Sequence, residues 1–326
     1  MKQNTIILIV ATLVLCGCKN TKPLIFDTDW WTDVDDACAV RILLNSDKKG
    51  EIDVKGICLS AVDNESYESL GKFMFHEGYT NIPVGADKDA TDFKGIPGYR
   101  KPILESSENN SLTDKDVSNC VDFYRKILSS SKKKVDIVAV GFPNTLSKLL
   151  QSTPDQWSPL NGTELIEQKV GKLYLMAGNY PEGKEHNFCN ASRSREAGAI
   201  VCKNWPGEII FLGFEVGIQV VAGGTLPKED LLHKILEAHG SANGRYMWDP
   251  LTLVIGIIGN PEKAGFECIR GVCSVNPETG ENTFIEDANG KHSYVKMIHS
   301  PEWYSKRLNT MLSEGKAVME VYHEEL

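Results

Sequence analysis

The chain predicts an α/β fold: a mainly parallel central sheet with helices on both faces, and a small β appendage near the C-terminus. Three observations carry this. Short runs rich in β-branched residues alternate with longer amphipathic stretches. Polar or glycine-containing turns follow successive runs. After residue 258 the pattern changes to short strands separated by turn residues.

Strands are predicted over residues 23–26, 54–59, 135–140, 172–176 and 208–212, where apolar residues run without long polar interruption. Helical spacing falls between them at 34–44, 67–77, 117–129, 145–150 and 193–203. Asp249-Pro250 opens a further helix through Ile258. Short strands at 272–275, 283–285 and 294–298 then form the appendage, punctuated by Asn276-Pro277 and Asn289-Gly290. Residues 87–116 are polar and rich in Gly, Pro, Ser and Asn, predicting a surface loop near the functional rim or a disordered one. In such sheets ligands collect beyond the carboxyl ends of the strands.

Residues 1–17 read as a lipoprotein signal peptide and 18–326 as a single domain. A charged start leads into the apolar run Ile6 to Leu15, closing on Leu15-Cys16-Gly17-Cys18, which resembles a bacterial lipobox. Cys18 would carry the lipid and become the mature N-terminus, placing the protein in the cell envelope, periplasmic or surface-exposed, with the lipid as its only membrane contact. An ordinary cleaved signal, or a start at Cys16, is the alternative; Leu15 is a poor residue at that cleavage position.

The 326 residues are 41% hydrophobic and 24% charged, enough for a large core, and the net charge of −9 argues against a nucleic-acid partner. Lys132-Lys133-Lys134 reads as a solvated loop before a strand. Beyond Cys16 and Cys18 there are seven cysteines, so at least one stays unpaired. Cys38 and Cys58 read as small buried hydrophobes. Cys268 and Cys273 form the one candidate local disulfide, and no spacing suits zinc.

The chemistry concentrates in five aspartates, Asp27, Asp29, Asp33, Asp35 and Asp36, where the first strand runs into a helix. Two carboxylates about 4 Å apart repel by about 4 kcal/mol at an intermediate dielectric. Oxygen-only donors at that density suit a hard divalent cation, Ca2+ before Mg2+.

With Asp27-Thr28-Asp29 and Asp35-Asp36-Ala37 in view, the chain resembles the inosine-uridine-preferring nucleoside hydrolase family, marked by Asp-x-Asp followed by Asp-Asp at the head of a helix. The resemblance continues through Asn64, the turn at Gly141, Leu175-Met176-Ala177-Gly178, the loop from Glu185 to Asn190, and Trp248-Asp249-Pro250. It implies a nucleoside hydrolase-like fold and a calcium site built from Asp29, Asp36, Asp249 and the Gly141 main-chain oxygen. It also implies hydrolysis of the N-glycosidic bond of a ribonucleoside or related N-glycoside, with Asp29 as general base. Asp35 would take a ribose hydroxyl, with Asn64 assisting. Asp27 would brace the motif, and Asp33 would cap the helix or support the metal.

Two alignments compete in the following loop: local pattern favours Glu185 and Asn187, whereas distance to the next helix favours Asn190. The sugar contacts therefore lie among Asn179, Glu185, Asn187 and Asn190. His186 is either a solvated loop residue or an acid.

Two departures matter. Trp248 stands where many members carry a histidine that protonates the departing base, and Trp30 and Trp31 replace small turn residues. The three indoles could clamp a planar base or sugar face; packing between loops is the alternative, weighed equally for Trp31. A second functional reading is a non-catalytic nucleoside- or sugar-binding lipoprotein of an uptake system. A third keeps hydrolysis but changes the bond to an O-glycoside. Homo-oligomers are compatible with the resemblance, but no exposed stripe identifies an interface.

Overall fold

The computed structural model describes residues 21–31, 33–95, 97–108 and 111–323. The lipobox reading, with Cys18, lies outside them. Thirteen strands occur among the described residues. They are β1 (Lys22–Thr28), β2 (Ile52–Leu59), β3 (Val84–Ala86), β4 (Val117–Asn119), β5 (Val135–Ala139), β6 (Val170–Met176) and β7 (Glu182–Gly183), followed by β8 (Ile209–Leu212), β9 (Val221–Ala222), β10 (Arg245–Tyr246), β11 (Phe266–Val275), β12 (Asn282–Glu286) and β13 (His292–Met297).

Eleven of them make one sheet in the order β4-β3-β2-β1-β5-β6-β8-β13-β11-β12-β7, and β9 and β10 make a separate two-stranded ribbon. Every pairing from β4 across to β13 is parallel, and those from β13 to β7 are antiparallel. The C-terminal strands thus form the predicted short antiparallel set, but hydrogen-bonded into the main sheet through β13 and β8 rather than packed on it.

Alternation along each strand builds two cores. In β1, Leu24 and Phe26 face one side and Ile25 the other. In β6, Tyr174 and Met176 share the first side while Leu173 and Leu175 take the second. The helices Asp35–Lys48, Trp248–Ile258 and Pro301–Glu314 contribute to the first core. The helices Cys120–Ser130, Asn144–Leu150 and Ser192–Asn204 contribute to the second. The segment 117–129, expected to be wholly helical, begins with β4 because Val117 to Asn119 pair along the edge of β3; Asn119 then caps the helix by accepting from the Val121 N–H.

Cys268 and Cys273 are both free and lie five positions apart in β11. An odd offset turns them to opposite sheet faces, with Cys268 against the first core and Cys273 in the second. Their Cα atoms are about 17 Å apart along an extended strand, so the candidate bridge cannot close.

The described part of 87–116 is packed, not a free loop. It contains the turn Gly98–Arg100 and the short helix Lys101–Leu104. Phe93 stacks on Phe142 at 3.7 Å. Arg100, fully buried, donates to both Asp63 oxygens at 2.6 and 2.7 Å and to the Trp30 carbonyl. Arg100→Leu is expected to cost about 3–5 kcal/mol in denaturant unfolding, because it leaves Asp63 and the Trp30 carbonyl without their partner. A loss under about 1 kcal/mol would show that water replaces the guanidinium freely.

No helix among the described residues is long and apolar enough to cross a membrane.

Candidate functional site

β1 carries the first acidic motif to the carboxyl edge of the sheet. Asp27 is fully buried toward the second core, where its Oδ2 accepts from the Tyr124 and Thr145 hydroxyls at 2.6 Å each. Burial pushes its carboxyl up to about 7. It ties the strand end to two helices and does not line the cavity described below.

Trp30 sits at φ 49°, a left-handed conformation costing a non-glycine residue roughly 1–2 kcal/mol. Its fully buried indole holds that turn by donating to Ser69 Oγ at 3.0 Å and packing against Phe73 and Tyr99. Trp31 packs with Phe93, Phe142, Ala61, Ala90 and Ala191. Neither indole lines the cavity, so the candidate three-tryptophan clamp is not assembled, and Trp31 takes the alternative of packing between loops. Their main chains serve the site instead: Trp31 N–H donates to Asp29 Oδ1 at 3.0 Å, and Trp30 N–H to Asp36 Oδ1 at 3.3 Å. The Thr28 hydroxyl donates to the same Asp36 oxygen.

Asp35 and Asp36 occupy the first turn of the helix Asp35–Lys48, and Asp249 the first turn of Trp248–Ile258. Asp35 Oδ2 accepts from the main-chain N–H groups of Trp248 and Asp249, 3.0 Å each, and so caps the later helix from the earlier one. This bond locks the two ends of the chain together. Asp35, Asp36 and Asp249 present oxygens within 4.8 Å of one another.

Asp29 adds a fourth charge. These four side chains are between 2% and 7% exposed. Burial, then mutual repulsion, holds Asp35, Asp36 and Asp249 well above the usual carboxylate range; Asp29 rises to about 7, through burial first. The nearby guanidiniums bond to other acids, Arg100 to Asp63 and Arg245 to Asp33. Four nearly buried carboxylates without a bonded cation fit a hard divalent ion.

Gly141 sits directly behind Asp29: a side chain there would place its first carbon 2.3 Å from the Asp29 amide nitrogen and 2.4 Å from Ser60 Oγ. At this turn it is Val140 that lines the cavity, its carbonyl accepting from Asn187 Nδ2 at 2.7 Å.

The acidic cluster floors a cavity of about 250 Å3 whose walls include Asp33, Met176, Glu185, His186, Asn187, Phe214, Arg245 and Trp248. This is slightly below the roughly 300–1,000 Å3 of drug-sized sites. Glu185 accepts from the Gly178 and Asn187 N–H groups at 2.9 and 2.8 Å, and burial lifts it to about 7. Asn187 Nδ2 ties two strand ends, through Val140 O at 2.7 Å and Met176 O at 2.9 Å.

Of the competing asparagines, only Asn187 lines the cavity. Asn190 instead pairs with the Lys94 main chain and the His186 ring. Asn179 accepts from Asn282 and donates to it through main-chain groups, and Asn64 is exposed before the helix Ser66–His76; both lie outside the cavity. His186 lines it, with burial lowering its pKa toward the neutral ring.

Phe214 and Arg245 escaped the sequence reading, since neither belongs to a motif. Asp33, expected to cap or to support a metal, forms a two-pronged pair with Arg245 at 2.8 and 2.6 Å. Phe214 stacks on Trp248 with centroids 5.5 Å apart, and Trp248 Nε1 donates to the Phe214 carbonyl at 2.9 Å. Gly217 makes room for this indole, since a Cβ there would lie 2.1 Å from Trp248 Cδ1. Gly217→Ala is therefore expected to displace the indole and to weaken binding of a small molecule in this cavity about tenfold. Unaltered binding, with intact folding, would show that this wall does not meet the ligand.

No family model matches the chain, and no curated protein matches it. Solved structures do. The inosine-uridine preferring nucleoside hydrolase from Bacillus anthracis is 17% identical over 89% of this chain and 99% of its own, with a TM-score of 0.63. An inosine-guanosine nucleoside hydrolase is 16% identical over 89% and 98%, with a TM-score of 0.66. A type III effector, XopQ, solved with adenosine diphosphate ribose, is 11% identical over 90% and 94%, with a TM-score of 0.61. The chain has the nucleoside hydrolase-like fold.

Proposed function

We propose that the protein hydrolyses the N-glycosidic bond of a ribonucleoside or related N-glycoside with the help of Ca2+, releasing free sugar and base. The observation that carries this reading is the convergence of Asp29, Asp35, Asp36 and Asp249 beneath a small cavity with one aromatic wall.

A calcium ion held by Asp29, Asp36 and Asp249 would act as a Lewis acid, lowering the pKa of an adjacent water and orienting sugar hydroxyls, and the Gly141 carbonyl, outside the cavity, forms no part of this set. Asp29 receives the proton of the attacking water; its carboxylate is positioned by the Trp31 N–H. The free oxygen of Asp35, the amide oxygen of Asn187 and the Glu185 carboxyl take sugar hydroxyls. The anionic floor favours the positive charge that grows on the sugar as the bond breaks. Phe214 and Trp248 face the base. Asn64, Asn179 and Asn190 form no part of this arrangement.

We also place the protein in the cell envelope, tethered through Cys18.

Reducing-sugar release from a panel of ribonucleosides, with and without chelator, tests the reading. Turnover that chelation abolishes and calcium restores is expected. Nucleoside binding with calcium but without turnover would instead establish the uptake-protein alternative.

A further inference from the structure

Trp248 occupies the position expected of a leaving-group acid, but its indole N–H is committed to the Phe214 carbonyl and its main-chain N–H to Asp35. Departure of a nucleobase puts negative charge on its ring, so the cavity needs another donor. Most candidates on its wall are spent. Asn187 gives its amide N–H groups to two main-chain carbonyls. Glu185 accepts main-chain N–H groups on both oxygens. The His186 ring is engaged through Nε2 by Asn190, and burial favours its neutral form.

Arg245 remains. Asp33 grips its Nε and Nη2 at 2.8 and 2.6 Å, and its Nη1 has no acceptor among the described residues. The guanidinium lies 5.4 Å from the centre of the Trp248 ring, beside the wall assigned to the base. A forked pair fixes the guanidinium plane while leaving its outer edge available.

We propose that Arg245 is the leaving-group residue of this cavity, hydrogen-bonding the departing nucleobase through Nη1. This rests on the hydrolase reading above. As the C1–N bond breaks, its electron pair passes to the base nitrogen, where the guanidinium stabilises the charge without giving up a proton. The water oxygen bonds to C1 and its proton passes to Asp29. Asp29 then returns a proton to solvent, the base takes one from solvent, and the sum is nucleoside plus water giving sugar plus base. Because a guanidinium does not titrate in the working range, no acid limb should appear on the alkaline side.

The test compares full-length wild type with Arg245→Gln and Arg245→Lys on a turned-over nucleoside and on p-nitrophenyl riboside, whose phenolate departs without assistance. Arg245→Gln should lower kcat/KM for the nucleoside about 10²–10³-fold and for the aryl riboside by under about fivefold, with Arg245→Lys recovering part of the nucleoside rate. Wild-type kcat/KM should stay level from about pH 7.5 to 9. Equal losses on both substrates, or a wild-type rate that falls across that range, would overturn the assignment while leaving the hydrolase reading intact. A wild type inert toward both substrates removes the hydrolase reading itself, and this assignment with it.

Discussion

Asp29→Asn should melt several degrees above wild type when both are stripped of metal at pH 8, while its nucleoside hydrolysis falls roughly 10²–10⁴-fold. The two effects share one cause. Asp29 is nearly buried, and its carboxyl is lifted from 3.8 to about 7. Ionising it in the metal-free fold therefore costs roughly 4 kcal/mol, which a neutral amide does not incur. The same charge is what a cation and an attacking water require. Calcium should accordingly stabilise wild type far more than the variant. Thermal melts with chelator and with calcium, alongside sugar release, measure all three quantities. A metal-free variant that melts below wild type would show that Asp29 is paired by something other than an ion.

Metal-free wild type should gain stability on acidification from pH 8 to 6, the reverse of ordinary acid sensitivity. Burial holds Asp27, Asp29 and Glu185 up to about 7 in the folded chain, above their unfolded values near 4. Between those values the folded state binds more protons than the unfolded state, so stability falls as pH rises through the window. Each group contributes about 1 kcal/mol between pH 8 and 6. His186, lowered, and His292, pushed down to about 4, act in the opposite sense and offset part of the gain. A net gain of roughly 1–3 kcal/mol remains.

With calcium present the slope should reverse, because protons and the ion compete for the same oxygens, and loading at pH 7 should release protons. Denaturant unfolding at several pH values, with and without calcium, reads this directly. If the metal-free protein loses stability steadily from pH 8 to 6, its acids are better compensated than their burial indicates.

The parallel sheet was legible because burial on two faces imposes a pattern on neighbouring residues: Leu24, Ile25 and Phe26 alternate between cores yet are all apolar. The acidic floor was legible for a similar reason. Asp27, Asp29, Asp35 and Asp36 are close in sequence, at the junction of a strand and a helix, and Asp249 stands in a matching helix start. The terminal strands and the cysteines were harder. Whether β13 pairs with β8 depends on an edge left open by the rest of the sheet. The thiols of Cys268 and Cys273 are separated by strand geometry, which closeness in sequence conceals.

The sequence by itself determined the alternation of strands and helices, the rim on which ligands would collect, and the acidic chemistry placed there. Each follows from period, polarity and local spacing, which neighbours along the chain carry with them. Only the tertiary structure decided that Trp30 anchors a turn, that Asn187 rather than Asn190 meets the cavity, and that Arg245 closes on Asp33 across 212 positions. Those outcomes depend on how loops from distant strands pack against one another and which way a side chain turns, and neither is written in the order of residues along one segment.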